Sequence, residues 1–370
     1  MLAPTRERCG IGDYSRLLAG GLRDLPGIAQ VELVSTPEGV VRSGPVSALR
    51  HYLADERLFH SLGQRLNSCD VTHIQHQYFF FGGVAPHKNH FAALLNRVRV
   101  PIVMTVHEIV EGGTVGWRRA LIGLTNRRNF LHPAIRQIIV HTEADAQKLQ
   151  AIGVAESRLT VLPVAVPPVS PLPNHSAAQE ALGVAGKRVL LMFGFLSEKK
   201  GHGNAFAALS GLPNDVVLVL AGERHPDDSS DYVAVLKARI AANGWEARVL
   251  ITGYLPEDQI PQIMAAADVA LAPFVESSGS ASLAHLLAYG LPVIASDIPP
   301  HRELLGQSPG SLALYPGGDI GALRQQILSV LDDAQLRHSL RQGASRFSAE
   351  RSYSQIAGRT LAVYRKAIAE

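Results

Sequence analysis

Apolar positions recur along this chain in two periods that take turns. Tyr14 to Leu25 carries Leu17, Leu18 and Leu22 on one helical face, and Val31 to Val34 follows as a strand-length apolar run. Val46 to Leu66 reads as a helix, and Asp70 to Gln77 as a strand running into aromatics and Gly82-Gly83. Val100 to Val106 is almost unbroken Val, Ile and Met, the pattern of a parallel strand covered on both faces. Ile135 to Val140 is the next strand, and Thr142 is placed to cap a helix reaching Ile152. Leu159 to Val164 closes the first series. The start is clipped: MLAP leaves room only for a very short strand, unless the true start lies upstream.

The stretch 166–176, with Pro167, Pro168, Pro171 and Pro173, reads as a stiff interdomain linker. The alternation then resumes. Strands are expected at Arg188 to Phe193, Val216 to Ala221, Val249 to Thr252 and Asp268 to Phe274. Helices are expected up to Leu209, over Asp231 to Asn243 and over Pro256 to Ala267. After Phe274 comes a Ser/Gly loop, Ser277 to Ser280, unable to propagate a strand. The helix Ala281 to Tyr289 follows, with Leu283, Leu286 and Leu287 on one face, and Gly290 stands where a helix-ending glycine belongs. Such alternation predicts two doubly wound α/β domains, 1–165 and 177–350. The last helix, Tyr353 to Ala369, is free to pack back on the first.

With 370 residues, two cores are the natural expectation. Hydrophobic residues make up 46% and charged residues 18%, which excludes a disordered chain. No apolar run approaches a bilayer-spanning length, and no apolar signal core opens the chain. Two cysteines, Cys9 and Cys69, cannot build a disulfide framework, so a reducing, cytoplasmic setting is expected. Net charge is +3, with no long basic stripe, so nucleic acid is not an expected partner. Arg118, Arg119, Arg127 and Arg128 spread around a helix at about 100° per residue, which favours a solvated helix. Peripheral contact with the inner membrane face is the alternative.

Several residues invite chemistry. The Ser277–Ser282 loop presents hydroxyls and backbone amides at a helix N-terminus, where anions bind, with Ser282 and His285 on the face away from the leucines. A Ser-rich cap on a packing helix is the plainer reading of that loop. Gly10-x-Gly12 between strand and helix suggests a dinucleotide site, but Ser15 replaces the third glycine and no acidic residue ends the second strand. A glycine turn that admits a ligand remains. His73 and His76, three apart on a strand, point to opposite faces and do not share a metal. His107 stands at a strand's carboxyl end, where open α/β sheets hold ligands; a buried, hydrogen-bonded histidine is the equal alternative.

Taken in order, these motifs resemble one family. They are Gly10-Ile11-Gly12-Asp13-Tyr14, His107, the Gly194 to Gly201 loop with Lys200, Val219 to Glu223, Thr252-Gly253-Tyr254, and His285 to Ala295. The set is similar to the retaining nucleotide-sugar glycosyltransferases of family 4, and covers nearly the whole chain. The resemblance implies the GT-B fold: two Rossmann-like domains facing a central cleft, donor in the second, acceptor in the first. It implies that Gly194 and Lys200 face the diphosphate, and that backbone near Gly253 and Tyr254 takes the base. Glu223, Glu276, Ser277, Gly279, Ser280, Ser282 and His285 would border phosphate, ribose and sugar. Gly10, Gly12, Asp13, Tyr14 and His107 would border the reacting carbon, with His107 and Lys200 catalytic. No metal or other cofactor is implied. Two positions depart from the family pattern. Phe195 stands where an Arg usually follows the loop glycine. Of the paired glutamates around the 281–289 helix, the second falls on His285 and the first on Ser277 or Glu276. A sugar-nucleotide epimerase and a non-catalytic nucleotide-sugar-binding subunit are the alternative functions.

Overall fold

The computed structural model describes residues 1–5, 9–37, 48–111, 116–224, 231–277 and 279–370, with backbone alone over 48–54. The first two residues of the expected 46–66 helix and Ser278 of the serine loop lie outside the described residues. The chain divides into two compact units, Met1–Pro163 with Tyr353–Glu370, and Val164–Ser352.

The first unit is built on a parallel sheet of six strands: β1 (Leu2–Ala3), β2 (Val34–Ser35), β3 (Thr72–His76), β4 (Ile102–Val106), β5 (Ile135–Val140) and β6 (Leu159–Val161). Their order is β2-β1-β3-β4-β5-β6. The opening strand is two residues long, and both are fully buried between Val34 and Ile74. β4 is buried throughout, as its unbroken apolar sequence requires. Thr142 accepts from the Asp145 amide at 3.1 Å and caps the helix Glu143–Ile152, the cap its sequence predicts.

One expectation is overturned here. The Cys9–Tyr14 segment is not a turn: the helix already begins at Gly10 and runs to Arg23. A Cβ on Gly10 would meet nothing within 4 Å, so its smallness serves no close packing. Tyr14, Leu18 and Leu22 are buried along this helix and draw it onto the protein. The C-terminal helix Tyr353–Ala369 lies against it, burying Ile356, Ala357, Val363 and Tyr364. At Gly21 a Cβ would come within 2.9 Å of the Tyr353 carbonyl, so here the glycine does permit a close crossing.

The second unit repeats the architecture with β7 (Arg188–Phe193), β8 (Val216–Ala221), β9 (Val249–Ile251), β10 (Val269–Ala272), β11 (Val293–Ser296) and β12 (Ala313–Tyr315). All pairings are parallel, in the order β12-β11-β10-β7-β8-β9. Leu190, Met192, Leu218 and Leu220 enter the core on one face, and Val189, Leu191, Val217 and Val219 the core on the other. The division between units falls at Pro163/Val164, just before the Pro-rich stretch, which is grouped with the second unit. Its start is tied down: the Val166 amide donates to the Arg351 carbonyl at 2.8 Å. Its end caps the helix His175–Ala181 through Asn174. Among the described residues no helix is long and apolar enough to cross a membrane.

Candidate functional site

In the second unit the candidate residues sit where β7, β8 and β10 end. Beyond β7 the chain turns at Gly194, φ +110°, whose amide donates to the Ala221 carbonyl at 3.0 Å. A Cβ at Gly194 would lie 2.9 Å from that of Ser282, and one at Gly222 would lie 2.0 Å from the Gly194 carbonyl oxygen. Absent side chains thus let the helix Ala281–Ala288 set its first turn directly on the strand ends. The short turn Glu198–Lys200 follows and ends at Gly201, φ +71°. A Cβ there would fall 1.9 Å from the Pro273 carbonyl oxygen, so the loop is wedged against the exit of β10.

This wedge aims Lys200. Its Nζ donates to Ser282 Oγ at 2.6 Å and reaches Ser280 Oγ at 3.4 Å. It stands over the Phe274 ring, 4.0 Å from the centroid, in a cation–π contact. Ser280 is also the N-cap, accepting from the Leu283 amide at 3.2 Å, and lies 3.1 Å from Ser282 Oγ. Among the described residues no carboxylate pairs with Lys200. Burial alone brings its ammonium pKa down to about 8. A cation with no carboxylate partner among the described residues, at a helix N-terminus, is an arrangement that an anion completes.

Two histidines that the sequence reading passed over line the same place. His301 donates through Nδ1 to the Ser296 carbonyl at 2.8 Å and packs 5.4 Å from Phe274. His202 lies 3.2 Å from the Ser197 carbonyl through Nδ1. Burial, with a smaller contribution from nearby Lys200, lowers each to about 4, so both are neutral at neutral pH. Neither follows a motif; a histidine at a helix start beside a strand end was the only available signal.

The remaining donor-side candidates are arranged less tightly. His285 donates through Nδ1 to the Ala281 carbonyl at 2.9 Å, and its ring lies 5.4 Å from Phe193. Gly253, φ +75°, is tied to Gly222 through Thr252, whose Oγ1 accepts from the Gly222 amide at 3.2 Å and donates to the Gly253 carbonyl at 2.8 Å. The Glu223 carbonyl accepts from the Leu196 amide at 2.8 Å. Tyr254 is exposed. Glu276 pairs with Lys199 at 3.6 Å with both side chains in water, so that contact contributes little. Ser277 and Gly279 are half-buried in the same loop.

In the first unit the ends of β3, β4 and β5 gather a cluster of rings. His107 follows β4, and its Nε2–H donates to Gln75 Oε1 at 2.7 Å. Gln75 Nε2 lies 3.4 Å from His73 Nε2, which also meets Thr105 Oγ1 at 2.8 Å; His73 Nδ1 meets Tyr364 Oη at 2.7 Å. His141 follows β5 as His107 follows β4, and the two rings are 5.1 Å apart. Tyr14 lies edge-on to both, at 5.5 and 5.7 Å, with Tyr353 at 5.8 Å. His141 donates through Nδ1 to the Leu162 carbonyl at 2.9 Å, while its buried Nε2 has no partner. Burial, and after it the neighbouring histidines, hold His107 well below its ordinary pKa. His76 lies among Tyr78, Phe81, Phe91 and Phe130, a different set from the partners of His73. Gly10 and Gly12 lie on the first turn of the Gly10–Arg23 helix, and Asp13 pairs there with Arg16. Among the described residues no three His, Cys, Asp or Glu side chains group as metal ligands would.

Two α/β units, each on a six-stranded parallel sheet, are the architecture of the GT-B class of glycosyltransferase. The chain belongs to glycosyltransferase family 4: residues 16–169 match the model of Glycosyltransferase Family 4, and residues 176–347 that of Glycosyl transferases group 1. It is 29% identical over 237 residues to the 2-deoxystreptamine glucosyltransferase of Streptomyces kanamyceticus, over 61% of this chain and 59% of that one. To the alpha-maltose-1-phosphate synthase of Mycolicibacterium smegmatis it is 26% identical, over 96% and 95% of the two chains. Its fold matches the sucrose-phosphate synthase of Thermosynechococcus elongatus with a TM-score of 0.74 at 16% identity, covering 98% of this chain and 94% of that one. Anabaena HepE in complex with UDP-glucose matches with a TM-score of 0.68 at 21% identity, covering 90% and 85%.

Proposed function

We propose that this protein transfers a glycosyl group from a nucleotide diphosphate sugar to a glycan, lipid-linked or small-molecule hydroxyl, with retention at the anomeric carbon. The observation that carries this reading is Lys200, a cation without a carboxylate partner among the described residues, held by Ser280 and Ser282 at a helix N-terminus. In the reaction the bond from the anomeric carbon to the diphosphate oxygen breaks. A bond from that carbon to the acceptor oxygen forms on the same face. The acceptor proton passes to the departing diphosphate. Charge develops on the leaving diphosphate, and preorganised donors aimed at such charge accelerate transfer. Lys200 and the amides at the start of the Ala281–Ala288 helix are those donors, so no divalent cation is required in this reading.

Gly253 and Tyr254 are proposed to border the base, and Glu223, Glu276, Ser277, Gly279 and His285 the ribose and sugar. In the first unit His107, Tyr14 and the start of the Gly10–Arg23 helix are proposed to meet the acceptor or the transferred sugar. The relatives' names support transfer of a sugar but differ in the sugar moved, among them a glucosyl- and a mannosyltransferase; a nucleotide sugar is the ligand of the similarly folded Anabaena HepE. Two free cysteines suit a reducing cytoplasm. Incubation with a panel of nucleotide sugars and candidate acceptors tests the reading. Nucleoside diphosphate released only with an acceptor supports transfer. A changed sugar on the nucleotide means epimerisation, and binding without turnover means a non-catalytic subunit; either overturns it.

A further inference from the structure

One face of the first unit's sheet carries a chain of polar side chains. His73 and Gln75 stand two apart on β3. Thr105 and His107 stand two apart at the end of β4, and Gln75 is in register with Thr105, so all four share a face. The C-terminal helix Tyr353–Ala369 packs on β4 and β5 and adds Tyr364 to the chain. His73, Gln75, Thr105 and Tyr364 are buried. Their polar atoms therefore find their complements in one another rather than in water.

Within this chain the hydroxyls follow and the amide leads. Thr105 Oγ1 lies 2.8 Å from His73 Nε2, and Tyr364 Oη 2.7 Å from His73 Nδ1. A hydroxyl donates or accepts as its neighbour requires, so neither contact selects a tautomer for His73. Gln75 has no such freedom, because one end of its amide only donates and the other only accepts. Its Nε2 lies 3.4 Å from His73 Nε2 and 3.5 Å from Met1 Sδ, and its Oε1 lies 2.7 Å from His107 Nε2. A thioether only accepts, so Met1 holds the amino end on its own side. His73 Nε2 must then accept, which puts the proton of that ring on Nδ1, toward Tyr364. His107 Nε2 must donate, which leaves the lone pair of that ring on Nδ1. Turning the amide over would reverse both histidines together and set its oxygen against the sulfur. Burial keeps both rings uncharged, His73 down to about 3, so each has one ring proton to place.

We propose that Gln75, held between His73 and Met1, fixes the tautomer of His107, so that Nδ1 is the nitrogen that accepts a hydroxyl hydrogen of the ligand. The inference rests on the reading that His107 meets the acceptor or the transferred sugar, and it names the chemistry of that meeting. A hydroxyl is recognised as a donor, whereas a ring or carbonyl oxygen, which only accepts, is not. Gln75 and His73 are positioning residues: they act through His107, and the helix that carries Tyr364 closes the chain behind them.

The test is the nitrogen spectrum of the full chain with isotope-labelled histidine at neutral pH, where protonated and lone-pair ring nitrogens resonate far apart. Signals lost in His107→Ala and in His73→Phe assign the two rings. The wild-type chain should show His107 protonated on Nε2 and His73 on Nδ1. Gln75→Leu removes the coupling, so His107 should populate both tautomers. Sugar transfer by that variant should fall by about tenfold, the scale of one lost hydrogen bond. Gln75→Glu accepts at both ends, so His107 should keep its tautomer while His73 moves its proton to Nε2. His107 protonated on Nδ1 in the wild-type chain overturns the proposal. So does a single His107 tautomer that survives Gln75→Leu, or a His73 tautomer that Gln75→Glu leaves unmoved. The opposed pattern of the two wild-type rings is itself decisive, so the proposal stays open to refutation if a Gln75 variant fails to fold. The spectrum is read without substrate: a chain with this pattern that transfers no sugar overturns the proposed reaction and not the relay.

Discussion

Lys200 and Ser282, 82 residues apart in the chain, meet at 2.6 Å between Nζ and Oγ. The contact joins the loop after β7 to the first turn of the helix after β10, and it exists because Gly194 and Gly201 carry no side chains. Replacing Lys200 by Ala removes the unpaired cation and leaves the serines in place. Turnover with a nucleotide sugar should fall by about 10²–10³-fold, the effect of losing one preorganised donor, or roughly 2.7–4 kcal/mol. Nucleoside diphosphate affinity should weaken as well. Steady-state kinetics decide the matter, and a variant that turns over as fast as wild type removes Lys200 from the chemistry.

The same lysine sets a pH dependence. Burial lowers its pKa from 10.5 to about 8. Above about 8 the free protein loses the ammonium, so diphosphate affinity should fall as pH rises through that value. A bound anion favours the charged form and raises the pKa again, so binding above pH 8 should take up a proton. Calorimetry in buffers of differing ionisation enthalpy reads that proton directly. His202 and His301, both near 4, contribute no titration in this range, and no acidic side chain pairs with Lys200 among the described residues. For stability the sign runs the other way. Between about 8 and 10.5 the unfolded chain keeps a proton that the folded one has released, so this group's contribution to stability rises with pH there. Affinity that stays flat from pH 7 to 9.5 contradicts the proposed role.

The strands were legible because parallel strands covered on both faces leave continuous apolar runs, as in Ile102–Val106 and Val216–Ala221. The Lys200 loop and the serine helix were each legible as motifs. Their meeting was not, nor was the Phe274 ring beneath the lysine, since such contacts depend on how two loops pass. The Gly10–Tyr14 segment misled because two glycines in five residues speak against a helix. Burial of Tyr14, Leu18 and Leu22 outweighs that propensity. The surroundings of His107 were hidden for a similar reason: its partner Gln75 comes from the neighbouring strand, as does the His73 that Gln75 meets, and the Tyr364 that meets His73 comes from the far end of the chain.

His107→Ala tests the first unit. The imidazole gives its Nε2 proton to Gln75, which is fully buried, so the variant leaves that Oε1 without this donor, at a cost of about 1–3 kcal/mol. Melting should drop by a few degrees only, nucleotide binding should persist, and glycosyl transfer should fall by about 10²-fold or more if the ring meets a reacting group. Unchanged transfer would remove it from the reaction, and a collapse of the melting temperature would make it a structural residue.

Gly201→Ala should act through geometry alone. The residue sits at φ +71°, and its new Cβ would lie 1.9 Å from the Pro273 carbonyl oxygen. The left-handed conformation costs about 1–3 kcal/mol for a residue with a side chain, before the clash is relieved. Relief means moving the loop that carries Lys200. Both the melting temperature and diphosphate affinity should therefore fall, and a variant losing stability but not affinity would separate the wedge from the site.

His285 stands where the family pattern has a carboxylate. A carboxylate only accepts, and accepts through two oxygens, so it can hold both hydroxyls of a ribose. His285 commits its Nδ1–H to the Ala281 carbonyl at 2.9 Å, which makes Nε2 the accepting nitrogen of the neutral ring. One acceptor can hold one ribose hydroxyl in the carboxylate's manner, so discrimination between ribose and deoxyribose should be weaker than two accepting oxygens would give. His285→Glu restores the second acceptor and should tighten nucleoside diphosphate binding by about 1 kcal/mol, the scale of one net hydrogen bond. His285→Ala should weaken it by a similar amount. Calorimetry on wild type and both variants, with a ribose and a 2′-deoxyribose diphosphate, distinguishes the outcomes. Equal affinities in all three proteins would show that His285 only packs against Phe193 and the turn above it, leaving Lys200, Ser280 and Ser282 to hold the donor.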